Sequence, residues 1–111
     1  MNLVESEYVK LHVVVPLTHA DALREALGTS GAGVQGKYDF CSGSIKQTGR
    51  FRPLQGAHPT LGEVGKKEEV EEEIIQTLCH KNILENVIAA VKKIHPYEEP
   101  PIDIFVRFEI Q

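Results

Sequence analysis

Between Tyr8 and Pro16 the chain alternates. Leu11, Val13 and Val15 fall on one side, Lys10, His12 and Val14 on the other, and Pro16 closes the run. A period of two predicts a strand, buried toward its end. The period then changes: in "THADALREALG" Leu23, Ala26 and Leu27 make a helical stripe, Thr18 stands where an N-cap would, Asp21 follows three residues later, and Gly28 offers a stop. From Ser30 to Gly65 glycine and proline dominate, and only "KYDFCSGSI" reads as a strand. In "EEVEEEIIQTLCH", Val70, Ile74 and Leu78 share a parity with Glu72 and Gln76, and the β-branched residues at the far end favour a strand. The rival reading, a solvated helix opening at Glu68 to Glu73, lacks an apolar stripe at helical spacing. "NILENVIAAVKKIHP" predicts a helix with Leu84, Val87, Ile88, Val91 and Ile94 inward, Asn82 and Glu85 as a capping box, Lys92 and Lys93 at its negative end and Pro96 beyond. Last, "PIDIFVRFEI" puts Ile102, Ile104, Val106, Phe108 and Ile110 on one side of a final strand.

The order β-α-β-β-α-β predicts an α+β, ferredoxin-like βαββαβ sandwich, a four-stranded antiparallel sheet with two helices on one face. The other face has no helix. Val14, Phe105 and Ile75, read on the opposite parity, suggest that it is apolar and covered by another subunit.

Composition narrows the class. The 111 residues predict one domain spanning 1–111, long enough to bury roughly two-thirds of its unfolded surface. Twelve basic against sixteen acidic residues give −4, which argues against nucleic-acid and acidic-membrane binding. "MNLVESEYVK" has no leader pattern and no apolar run approaches a membrane span, so Cys41 and Cys79 are expected as reduced thiols in a cytoplasm.

"GAGVQG" at residues 31–36 matches the dinucleotide fingerprint G-x-G-x-x-G, but its context is reversed. It follows a helix and leads toward a strand, and the first acid after Asp39 is Glu63. A glycine-rich connection is the better reading, with backbone N–H groups left as candidate donors to some other anion.

"VPLTH", "GAGVQGKYDFC", "TGRFRPLQGAHPTLGEVGKKEEVEEE" and "HPYEEPPIDIF" occur here in that order. Together they resemble the YqfO-type domain, which is inserted in many proteins of the Nif-three family and also occurs alone. "HPYEEP" is also similar to the ending of CutA-type divalent-cation tolerance proteins. Those proteins share a ferredoxin-like fold with the PII signalling proteins and usually form trimers. The resemblance therefore implies a PII/CutA-like fold and a homo-oligomer, with a trimer favoured. In larger Nif-three relatives the dinuclear metal site belongs to the flanking domain, so a hydrolase activity does not transfer. Gln47 stands where the family pattern has glycine, and Ile74 and Gln76 where it often has Arg and Glu.

Two regions offer chemistry. Lys46, Arg50, Arg52 and His58 lie in a stretch without acids, which could receive a phosphate or carboxylate or else pair with Glu68 to Glu73. His95, Tyr97 and Glu98 sit in a turn stiffened by Pro96 and Pro100. The alternative for that turn is structural, with His95 closing the helix. The expected ligand cleft, between subunits, has Gly31, Gly33, Gly36, Tyr38, Arg50 and Arg52 on one side, and His95, Tyr97 and Glu98 as its far wall. It would take a small anionic ligand or a protein partner in a regulatory role, without catalysis. One alternative is a divalent metal ion held by His95 and Glu98 with His19 or Cys41. Another is an accessory domain to a Nif-three metal-dependent hydrolase. No local spacing among the histidines and cysteines makes a metal motif.

Overall fold

The computed structural model describes residues 1–111. The chain runs β1 (Leu3–Glu5), β2 (Tyr8–Pro16), α1 (Ala20–Thr29), β3 (Gly43–Phe51), β4 (Glu68–His80), α2 (Leu84–Ile94), β5 (Ile102–Phe105) and β6 (Phe108–Ile110). Four strands form an antiparallel sheet in the order β3-β4-β2-β5. With both helices on one face, this is the α+β ferredoxin-like arrangement expected from the sequence.

The alternation in β2 sets that face. Val9, Leu11, Val13 and Val15 are buried together with Ile75 and Cys79 of β4, Leu23 and Leu27 of α1, and Val87 and Val91 of α2. Ile75 therefore belongs to the helix-covered core and not to the free face. Its register partner is Val13, so the two share one side of the pleat. Val14 and Phe105 do lie on the free face, opposite Ile74 and Lys10.

Both helices begin differently from expectation. A 3-10 turn precedes each, Leu17–His19 and Lys81–Ile83, which moves the N-caps to His19 and Ile83. Thr18 engages the His19 ring instead of a helix N–H, and Asn82 gives its own N–H to His80 Nδ1 at 3.2 Å. Nor does Gly28 stop α1. It lies inside the helix, where a Cβ would overlap the ring of Phe40, and the stop falls at Ser30, whose hydroxyl donates to the Ala26 carbonyl at 2.8 Å.

The predicted last strand is broken. Ile102–Phe105 pairs with β2, and after Val106 and Arg107 the chain enters β6, which pairs with β1 in a separate two-stranded ribbon. At its other end β4 outruns β2. Glu72–His80 is paired with β2, whereas Glu68–Glu71 is paired only with β3. This arm helps give the molecule its 51 × 27 × 24 Å outline. β3 starts only at Gly43 and continues through Phe51, so Lys46 and Arg50 belong to a strand and not to a flexible loop.

Candidate functional site

The residues after α2 are tied down one by one. His95 leaves the helix in an extended conformation because Pro96 follows it. Its Nδ1 accepts the Tyr97 N–H at 3.1 Å, so the ring proton resides on Nε2, which donates to the Val14 carbonyl at 2.6 Å. Both nitrogens are thus committed to backbone. Burial, the leading cause, lowers the pKa of His95 from its ordinary value, partly opposed by the Val14 bond.

Tyr97 then turns its hydroxyl onto Glu72 Oε2 at 2.7 Å. Gln47, the strand neighbour of Glu72, donates Nε2–H to Oε1 at 3.0 Å. Glu72 is only 5% exposed, and its two partners are neutral. Burial first, and Glu72 second, push the Tyr97 phenol well above its usual range, so it stays a donor. A Cβ at Gly49 would overlap the Glu72 carboxylate. The glycine is what lets strand β3 lie beside that group.

Glu98 holds the connection between β3 and β4. Its carboxylate accepts the His58 N–H at 3.1 and 3.3 Å. Phe51 approaches Tyr97 with ring centroids 6.3 Å apart. Between this connection, the β3 end and the turn lies a cleft of about 800 Å³, with Glu72 and Tyr97 in its wall and Arg52, Leu54, Glu98 and Pro101 around it.

The structure brings together Arg50, Arg52, Tyr97 and Glu98 on this cleft. His95 lies behind it as a buried strut. Arg50 sits on the opposite parity of β3 from Gln47, Gly49 and Phe51, and its Nε pairs with Glu69 at 3.4 Å. Both side chains of that pair are well exposed, which leaves it a weak surface contact. Arg52 forms no ion pair.

The glycine segment is not at this cleft within one protomer. Gly33 N–H donates to the Leu78 carbonyl at 2.7 Å, six residues along β4 from Glu72 and so about 20 Å away. Gly31 N–H is taken by Gly28 and Ala32 N–H by Leu27, so these amides are not free for an anion. Gly36 turns at φ 58° and Tyr38 is 76% exposed beside it. The candidate metal ligands His95, Glu98, His19 and Cys41 do not converge either, and no group of three or more His, Cys, Asp or Glu side chains could hold a metal ion.

No family model matches the chain. A Halalkalibacterium halodurans protein named GTP cyclohydrolase 1 type 2 homolog is 48% identical over 101 residues, 91% of this chain. A Bacillus subtilis protein of the same name is 45% identical over 96 residues, 86% of the chain. The solved structure of a Bacillus cereus protein related to NIF3 superposes with a TM-score of 0.79 at 37% identity over 96% of this chain. This chain is homologous to a segment of NIF3-family (YqfO) proteins. It spans about a quarter of those relatives, 27% and 26% of the two sequences and 27% of the solved chain. The chain also has the CutA fold: CutA1 of Pyrococcus horikoshii superposes at TM-score 0.67 with 15% identity, covering 93% of this chain and 86% of that one.

Glu72 is the site residue that sequence reading missed. In "EEVEEE" it is one acid among five and looks like part of a solvated run. The available signal was pairing: an antiparallel hairpin from "QTGRF" to "EEVEEE" sets a glycine against an acidic strand.

Proposed function

We propose that this YqfO-type domain is a small PII/CutA-like binding module that works in a regulatory role, without chemistry of its own. The observation that carries this reading is the cleft between the β3–β4 connection and the His95–Pro101 turn. Its wall contains a buried carboxylate that neutral hydrogen bonds hold in place. A fixed polar group in a concave site orients a ligand or a partner segment. Native mass spectrometry of the protein as purified, without chelator, tests it. A reproducible bound mass supports the module, and a bare chain under all conditions counts against it.

Assembly into a homo-oligomer, a trimer by analogy with CutA proteins, belongs to the same reading. Ile45, Phe105, Val106 and Phe108 are each about half exposed or more, which leaves apolar surface for another subunit to cover. The mass measurement reads this directly, and a monomer at micromolar concentration would remove it. A cytoplasmic location fits the free thiols Cys41 and Cys79.

A second reading is an accessory domain to a Nif-three metal-dependent hydrolase. It is favoured by the antiparallel pairing of β1 with β6, through which an inserted unit can enter and leave a host at one point. Turnover of a metal-domain protein, measured with and without this chain added, separates the two readings.

A further inference from the structure

The Glu72 carboxylate is the least expected group in the cleft. It is buried, it lines an 800 Å³ space, and no lysine, arginine or histidine pairs with it. Its two oxygens each accept one hydrogen bond, from Gln47 and from Tyr97. Each oxygen of a carboxylate can accept two, so half of its capacity is unused by the protein. A buried carboxylate that meets only neutral donors lacks the opposite charge that would offset its desolvation.

The surroundings are shaped for that group. Gly49 leaves the room that any side chain there would fill, and Tyr97 is held in position through the His95–Val14 contact. The other charges do not complete it. Arg50 is turned onto Glu69, Glu98 is occupied by the His58 N–H, and Arg52, which lines the cleft without an ion pair, makes no hydrogen bond or ion pair with Glu72. A ligand that enters this cleft can use the spare acceptor capacity of Glu72 by bringing hydrogen-bond donors, and it offsets the buried charge by bringing a positive one.

We infer that the cleft seats a small organic cation, an ammonium or guanidinium group placed on the Glu72 carboxylate. This rests on the ligand-binding reading above and reverses the charge expected of the ligand from sequence. A guanidinium matches a carboxylate with two parallel N–H bonds, and an ammonium with one. Tyr97 and Phe51, with ring centroids 6.3 Å apart, both line the cleft and offer aromatic surface to the rest of the ligand.

The test is an amide-shift titration of the full chain with agmatine, with N-acetylarginine N-methylamide as a second cation and succinate as an anionic control. The expected result is saturable shifts centred on Gln47, Gly49 and Tyr97 with agmatine. Glu72→Gln should weaken binding at least tenfold. Tighter binding of agmatine identifies a free amine as the source, and tighter binding of the arginine derivative identifies a protein side chain; both support the inference. Succinate shifts at the cleft without agmatine shifts would overturn the cation and leave the binding module standing. With no shift from any probe and no bound mass in the purified protein, both readings fall. Should Glu72→Gln not fold, the wild-type shift map decides, since agmatine shifts centred elsewhere reject the site.

Discussion

The Tyr97 hydroxyl donates to Glu72 Oε2 at 2.7 Å, joining the turn after α2 to the middle of β4 across a sequence distance of 25 residues. Gly49 is the third party to this contact, because the carboxylate occupies the space where its side chain would stand. Gly49→Ala is expected to destabilise the fold by about 1–3 kcal/mol, the usual cost of overpacking. In a Gly49→Ala, Glu72→Ala double variant the two changes should be strongly non-additive, since the clash needs both groups. Urea unfolding of the four proteins of the cycle measures the coupling, and simple additivity would contradict the geometry.

His95 gives stability an acid limb. Its folded pKa is lowered from 6.5, mainly by burial, so the unfolded chain takes up the proton first. The contribution is fully present above pH 6.5 and is lost as pH falls from there through the folded pKa. Protonation would also force Nδ1 to become a donor facing the Tyr97 N–H. Urea midpoints at pH 7.5 and 5.5 should fall for the wild type and change less for His95→Gln. Equal slopes in the two proteins would show that His95 is not the group responsible.

The phenol of Tyr97 acts at the opposite end of the scale. Its pKa is raised, so its contribution is present below the ordinary tyrosine value of 10.0 and lost as pH rises through the folded value. Of the three tyrosines, Tyr97 should ionise last in an alkaline absorbance titration. Tyr97→Phe should delete that late step and leave the earlier ones in place.

Gly33 and Gly36 both have positive φ, 80° and 58°, yet they should not respond alike to alanine. At Gly33 a Cβ would stand 2.5 Å from the Cys41 carbonyl oxygen and 3.0 Å from Thr77 Oγ1, whereas Gly36 has nothing within 4 Å. Gly36→Ala carries only the backbone penalty, about 1–2 kcal/mol. Gly33→Ala adds a clash with backbone and should cost clearly more. Thermal unfolding of both variants checks the order.

Glu98 is the one carboxylate that fastens the β3–β4 connection to the turn. Glu98→Ala should speed hydrogen exchange at the His58 amide and make the segment from Arg52 to Lys67 easier to cleave, with little change in global stability. Glu98→Gln retains an acceptor and should lie between the alanine variant and the wild type. Unchanged exchange at His58 in the alanine variant would mean that the bond is not what holds the segment.

Where one face of an element is buried, its period was readable. β2 and α2 show this, because Leu11, Val13 and Val15, like Val87 and Val91, repeat at the spacing their element demands. β4 was harder, as Ile74 and Ile75 put apolar groups on both faces, and only pairing with β2 decides which one is core. The β5–β6 break at Val106 and Arg107 was hidden by an unbroken alternation, and β1 is too short to give a pattern. At the site, "HPYEEP" announced Tyr97 and Glu98 through its prolines. Glu72 carried no local mark, because what distinguishes it from its acidic neighbours is burial against Gln47 and Tyr97, a property of the assembled hairpin. The Gly31–Gly36 segment lies away from the cleft of its own protomer, and the amides of Gly31, Ala32 and Gly33 are taken by α1 and β4, which sequence does not show.

The pairing of Leu3 with Ile110, and of Asn2 with Gln111 through both of their backbone groups, makes the chain nearly a closed ring. Adjacent strands lie about 5 Å apart, a gap that two or three glycines would bridge. A circularised chain should therefore keep its sheet, and it could be reopened at Gly56, which has open space around it on the β3–β4 connection. In such a permutant β4 would come first and β3 last, and the walls of the Glu72 cleft would be held by the two new ends.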